Sequence, residues 1–171
     1  LTWKSGIHYR LAPATKLFQF LYNHRLTQRR SQSAKAESAY NLDLARAFLE
    51  KQGIPVVEPS VPYLQFSEQE IATQKTKLSK LLGISTACKW VFVHSSTGGS
   101  ATSLSLEQYA TLLNNLTEHF DCQVILTAGK GEEERANALA SLLTQNAAVY
   151  AQNDGLQDFS HSIACADLFI A

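Results

Sequence analysis

Four short apolar runs punctuate the second half of the chain: WVFV at 90–93, CQVILTA at 122–128, AAVYA at 147–151 and DLFIA at 167–171. None alternates apolar with polar positions, so each reads as a strand buried on both faces. Helical patterns lie between them. Residues 105–119 place Leu106, Tyr109, Leu112, Leu113 and Leu116 on one side; 132–143 and 156–166 form two further helices. Ahead of the first strand, Ser67-Glu68-Gln69-Glu70 is a capping box opening a helix that runs to Leu82 and stops at Gly83. Apolar strands alternating with helices predict an α/β fold, a Rossmann-like parallel sheet covered on both sides.

The first third is less regular. Residues 7–10 are a short strand candidate, and LFQFLYN at 17–23 suits a short helix or a strand equally. Residues 37–52 put Tyr40, Leu44, Ala47 and Phe48 on one helical face, closed by Gly53. IPVVEPSVPY at 54–63 holds three of the four prolines and reads as an extended linker between two packed units.

Composition narrows the class. Of 171 residues, 45% are hydrophobic and 18% charged, which supports a buried core and excludes overall disorder. Lys plus Arg equals Asp plus Glu, 15 each, which argues against a dedicated nucleic-acid binder. The three cysteines, Cys88, Cys122 and Cys165, show no CxxC or Cys/His metal spacing. They read as buried, reduced thiols in a reducing compartment, the cytoplasm. There is no apolar run of about 18 residues and no signal-peptide pattern. Methionine is absent, the chain opens on LTWKSGIHYR as if within a domain, and it closes on an apolar strand. Both ends are therefore expected to be cuts in a longer polypeptide.

The chemistry concentrates where strands end, because ligands of such sheets bind beyond the carboxyl ends of the strands. After the first strand come Ser95, Ser96, Thr97, Gly98, Gly99, Ser100, Ala101 and Thr102. They supply hydroxyls and backbone N–H groups without bulk, glycine allows close approach to an anion, and the next helix adds a positive end. The loop suits a phosphate or diphosphate; a surface connection with ordinary cap residues is the other reading. It is neither a P-loop nor GxGxxG. The second strand ends in TAGKGEEER, where Gly129 and Lys130 could stand beside the same ligand, or the acids could simply begin a helix. His94 suits either a phosphate-orienting role or a buried, hydrogen-bonded one. His119 and His161 are given no role. No Ser/His/Asp or Cys/His set has a local signature, so the catalytic residues are unknown. HRLTQRR, with Arg25, Arg29 and Arg30, could meet an anionic acceptor or be a solvated loop.

The order of these pieces resembles glycosyltransferase family 9, the lipopolysaccharide heptosyltransferases, over residues 6–171. The carriers are the strand and His-Ser-Ser-Thr-Gly-Gly loop, LSLEQYATLL, VILTAGKGEEERANALA, DGLQDFSHSIACADLFIA and, upstream, GIHYR, NHR and KAESAYNLDLARAFLEKQGI. The resemblance implies an incomplete GT-B architecture. Residues 1–60 would close an N-terminal acceptor-binding domain, and 61–171 would begin a nucleotide-sugar-binding one. It implies inverting transfer of a sugar, typically heptose from ADP-heptose, to the lipopolysaccharide core, with no metal or cofactor. It places donor-phosphate contacts at Ser96, Thr97, Gly98 and Gly99. A lipid-linked acceptor makes a peripheral contact with the cytoplasmic face of the inner membrane, through Arg29 and Arg30, a sensible corollary. The sequence departs from the family at three places. Thr102-Ser103-Leu104-Ser105 stands where a lysine precedes Trp-Pro, Lys130 falls at a family acid, and Ala36-Glu37 replaces His-Glu. The family's base carboxylate and its Asp/Ser-x-Gly-Pro-x-His loop have no counterpart in these residues, so residues 1–171 alone are not expected to catalyse. The residues bear on two other classes. A non-catalytic Rossmann-like nucleotide-binding module remains open. A dinucleotide oxidoreductase is disfavoured, because no GxGxxG opens a helix and no acid ends the second strand.

Overall fold

The computed structural model describes residues 3–14, 17–97, 103–151 and 154–171. The chain divides into two compact units, Leu1–Tyr63 and Leu64–Ala171, and the division falls where the proline-rich stretch ends.

In the first unit, strands β1 (Leu11–Pro13) and β2 (His24–Leu26) pair in parallel, with Leu11 opposite His24. A 3-10 turn, Leu17–Leu21, connects them. The strand expected at 7–10 starts later, because side chains take over that stretch. Asn23 accepts from the Arg10 N–H at 2.8 Å and donates to the His8 carbonyl, while the Arg10 Nε donates to the Leu21 carbonyl. Helix α1 (Glu37–Lys51) follows, and Gly53 turns the chain away at φ +67°. Only Tyr40 of its expected apolar face is fully buried; Phe48 is 40% exposed and packs edge-on to Tyr9. The linker is tied down, since Arg46 donates to both carboxylate oxygens of Glu58, at 2.7 and 2.6 Å.

The second unit opens with α2 (Glu68–Leu82), started by the Ser67/Glu70 capping box and ended by Gly83 in the left-handed region. Then come β3 (Lys89–Val93), α3 (Leu106–His119), β4 (Cys122–Thr127), α4 (Glu133–Ala140), β5 (Ala148–Tyr150), α5 (Leu156–Ile163) and β6 (Leu168–Ile170). The four strands form one parallel sheet in the order β5-β4-β3-β6. Strand side chains alternate between two cores. Val91, Val93, Val124 and Leu126 pack against α3 and α4, around Tyr109, Leu113, Ala136 and Leu139. Trp90, Phe92, Ile125 and Tyr150 pack on the other face, with Leu78 of α2 and Cys165 after α5. This is the covered parallel sheet that the apolar runs predict. Its chain order steps outward from β3 to β5 and then returns to β6, so the switch point lies between β3 and β6, and the loop after β3 sits there.

Three details differ from expectation. Leu112 is 41% exposed and Ala110 takes its place in the buried stripe, because the stripe follows Leu106, Tyr109, Ala110 and Leu113 at helical spacing. Helix α4 ends at Ala140 rather than 143, since the Asn114 side chain accepts from the Thr144 N–H at 2.9 Å and turns the chain. Cys88 and Cys122 are only half-buried; Cys165 is buried, and burial pushes its thiol up to about 11, far from a thiolate at neutral pH. No described helix is long and apolar enough to cross a membrane.

Candidate functional site

The loops after β3 and β4 are adjacent because their strands pair in register, Val93 opposite Leu126. His94 extends the ladder, its N–H donating to the Ile170 carbonyl at 2.8 Å. The Thr127 hydroxyl donates its one hydrogen to the Val93 carbonyl at 3.2 Å and lies 3.0 Å from His94 Nδ1. Nδ1 must therefore carry a hydrogen and donate to Thr127. That leaves Nε2 facing Glu132 Oε2 at 3.7 Å, an ion pair when the ring is protonated.

Glu132 joins the loops. Its Oε1 accepts from the Ser96 hydroxyl at 2.5 Å and its Oε2 from the Gly129 N–H at 2.9 Å. These two bonds, Ser96 foremost, hold its carboxyl below the usual range, against the opposing effect of burial and with help from His94. Gly129 is required for this approach: a Cβ there would stand 2.8 Å from Glu132 Oε2. Arg135, in the first turn of α4, reaches the same loop. Its Nε donates to the Ser95 carbonyl at 2.9 Å and its Nη2 to the Leu104 carbonyl at 3.3 Å.

The structure thus brings Ser95, Ser96, Thr97 and Gly129 to one place. Ser95 is buried, Thr97 half-buried, and the Ser96 hydroxyl is directed at a carboxylate. Lys130 is exposed on the β4–α4 loop. Gly98, Gly99 and Thr102 lie outside the described residues. Helix α3 begins at Leu106 with its own Ser105/Gln108 capping box, which uses the Gln108 N–H. Of the basic candidates, Arg30 is engaged by Glu37 at 2.7 Å, Asn41 at 3.0 Å and Gln28 at 3.1 Å, and it holds the start of α1; Arg25 and Arg29 are exposed. They belong to the first unit.

Sequence reading missed Glu132, Arg135 and Thr127 as parts of the site. The available signal was spacing: Gly129, Glu132 and Arg135 recur every third residue across a helix start, where a carboxylate can turn back onto a loop N–H. It also missed a second polar cluster at the same end of the sheet. The Asp158 carboxylate accepts from Lys77 at 2.7 Å, Gln74 at 3.1 Å and the Tyr150 hydroxyl at 3.1 Å. Lys77 is the main cause that brings its carboxyl down to about 2. Among the described residues no His, Cys, Asp and Glu group could hold a metal ion.

The model of the family described as Glycosyltransferase family 9 (heptosyltransferase) matches residues 2–171. The chain belongs to that family. A Haemophilus influenzae protein, provisionally named as a glycosyltransferase, is 59% identical over 172 residues, covering 100% of this chain and 50% of that protein. Two solved structures share the fold. The Escherichia coli ADP-heptose lps heptosyltransferase II superposes with a TM-score of 0.67 at 19% identity, over 98% of this chain and 51% of that one. A family 9 glycosyl transferase from Veillonella parvula gives 0.64 at 12% identity, over 98% and 46%. The chain therefore spans about half the length of the relatives it matches. The resemblance drawn from the sequence holds for the family and for the α/β fold of its members. Within glycosyltransferase family 9, this chain brings the two polar loops together through a carboxylate, with an exposed lysine at position 130.

Proposed function

We propose that this chain forms part of a glycosyltransferase that moves a sugar from a nucleotide-sugar donor onto a sugar acceptor, with the loops after β3 and β4 receiving the donor diphosphate. The observation that carries the reading is the joining of these loops by Glu132 beside the switch point of the sheet, in a chain of glycosyltransferase family 9. Heptose from ADP-heptose is the donor we favour and the lipopolysaccharide core the acceptor, on the strength of what the E. coli relative is named for.

The chemistry follows from the parts. Sugar transfer leaves a diphosphate on which negative charge grows as the glycosidic bond breaks. Small-residue backbone N–H groups of the loop and the Thr97 hydroxyl would favour that charge without a metal. A carboxylate outside residues 1–171 removes the acceptor proton, and attack from the face opposite the leaving group inverts the anomeric centre. The test is direct. Full-length protein is incubated with ADP-heptose and heptose-deficient lipopolysaccharide core, and the product is read by mass spectrometry and by the anomeric coupling in NMR. Added heptose of inverted configuration, unaffected by chelator, supports the proposal. Release of ADP with no acceptor product, or no reaction with any sugar nucleotide, refutes it.

A further inference from the structure

Arg135 holds both ends of the polar loop from outside it. It sits in the first turn of α4, yet its guanidinium bonds the Ser95 carbonyl, where the loop leaves β3, and the Leu104 carbonyl, just before α3. Ser95 is 5% exposed, whereas Leu104 is 41% exposed and directly precedes α3, whose Leu106 packs against the core. One side chain of the next strand–helix unit therefore bridges the two carbonyls. A planar guanidinium offers several N–H groups in a rigid fork; a lysine ammonium carries the same charge but cannot reproduce that two-carbonyl grip.

Two further observations separate this from an ordinary surface arginine. Among the described residues Arg135 forms no ion pair, so its charge is not cancelled by a carboxylate. Glu132, three residues earlier, holds the same stem through Ser96, so the start of α4 grips the loop by a hydroxyl and by two carbonyls.

We propose that Arg135 is a positioning residue for the donor: its fork ties Ser95 to Leu104 and brings a positive charge to the loop that receives the diphosphate. This rests on the function proposed above. The test uses full-length wild-type protein, Arg135→Lys and Arg135→Gln, each titrated with inorganic pyrophosphate, with ADP, UDP and GDP, and with the matching nucleosides. Thermal melting is recorded in parallel. Both variants are expected to lose about tenfold or more in affinity for pyrophosphate and for the bound nucleoside diphosphate. Nucleoside binding should stay where it is, and the melting temperature should fall by only a few degrees, equally in the two variants. Lysine failing to rescue is the distinguishing result, since a loss of charge alone would be repaired by it. If Arg135→Lys binds like wild type, the positioning role is overturned. If both variants bind like wild type, the inference falls alone. If the wild type binds none of the phosphates, the proposed function falls first and takes this inference with it.

Discussion

Two carboxylates at the carboxyl end of the same sheet have opposite company. Asp158 faces Lys77 at 2.7 Å, with Gln74 and the Tyr150 hydroxyl completing its bonds. Its charge is answered, and the cluster knots α2, β5 and α5 into one body. Among the described residues Glu132 accepts from a serine hydroxyl and a glycine N–H, with His94 Nε2 at 3.7 Å. Its charge is left partly open, and it ties two loops rather than three elements. A carboxylate that bonds donors from three elements ties the frame together; one held by neutral donors between loops serves shape. That contrast separates the frame of this domain from the part that we propose meets a ligand.

The largest expected effect lies on the frame. Asp158→Ala removes the shared acceptor of Lys77, Gln74 and Tyr150, leaving the Tyr150 hydroxyl its bond to Ser162 at 2.9 Å, and should lower stability by about 2 kcal/mol in urea unfolding, with no selective effect on nucleotide affinity. The acid limb should move too. The folded Asp158 carboxyl lies at about 2, below its ordinary 3.8. A lowered folded value means the unfolded chain takes up protons first. Its contribution is therefore complete above about pH 4 and disappears as pH falls through about 2. Asp158→Asn should flatten the stability curve across that window.

Glu132→Ala comes next and should reverse the ranking of stability and function. It frees the Ser96 hydroxyl and the Gly129 N–H at a half-exposed site, so stability falls by about 1–2 kcal/mol while nucleoside diphosphate affinity falls more than in Asp158→Ala. A smaller effect sharpens the same point. In Gly129→Ala the new Cβ meets the mobile end of Glu132 at 2.8 Å, and the carboxylate can swing aside. Stability should change by less than about 1 kcal/mol, whereas affinity should follow Glu132→Ala. Equal losses of affinity in the Asp158 and Glu132 variants would erase the distinction drawn between them.

How far the sequence was legible follows the range of the forces involved. The order from α2 to β6 shows through because each strand is an unbroken apolar run and two helices carry complete capping boxes, at Ser67 and Ser105. These signals are local. The short β1 and β2 depend instead on Asn23 and Gln28 side chains reaching backbone groups many residues away, and no periodicity announces that. The polar loop after β3 was readable from its serines and glycines. Glu132 and Arg135 were not, for in sequence they are an acid and a base at a helix start. Only the pairing of β3 with β4 shows that they reach Ser95, Ser96 and Leu104.

The central claim is that the loop after β3 holds the donor diphosphate. The most direct measurement is calorimetric titration of full-length protein with ADP, UDP and GDP, repeated on Thr97→Val. The account predicts binding of one nucleoside diphosphate, ADP in the reading favoured here, weakened about tenfold or more in Thr97→Val while the melting temperature holds. Binding that is the same in wild type and variant, or no binding at all, would contradict it and leave the loop a plain connection between β3 and α3.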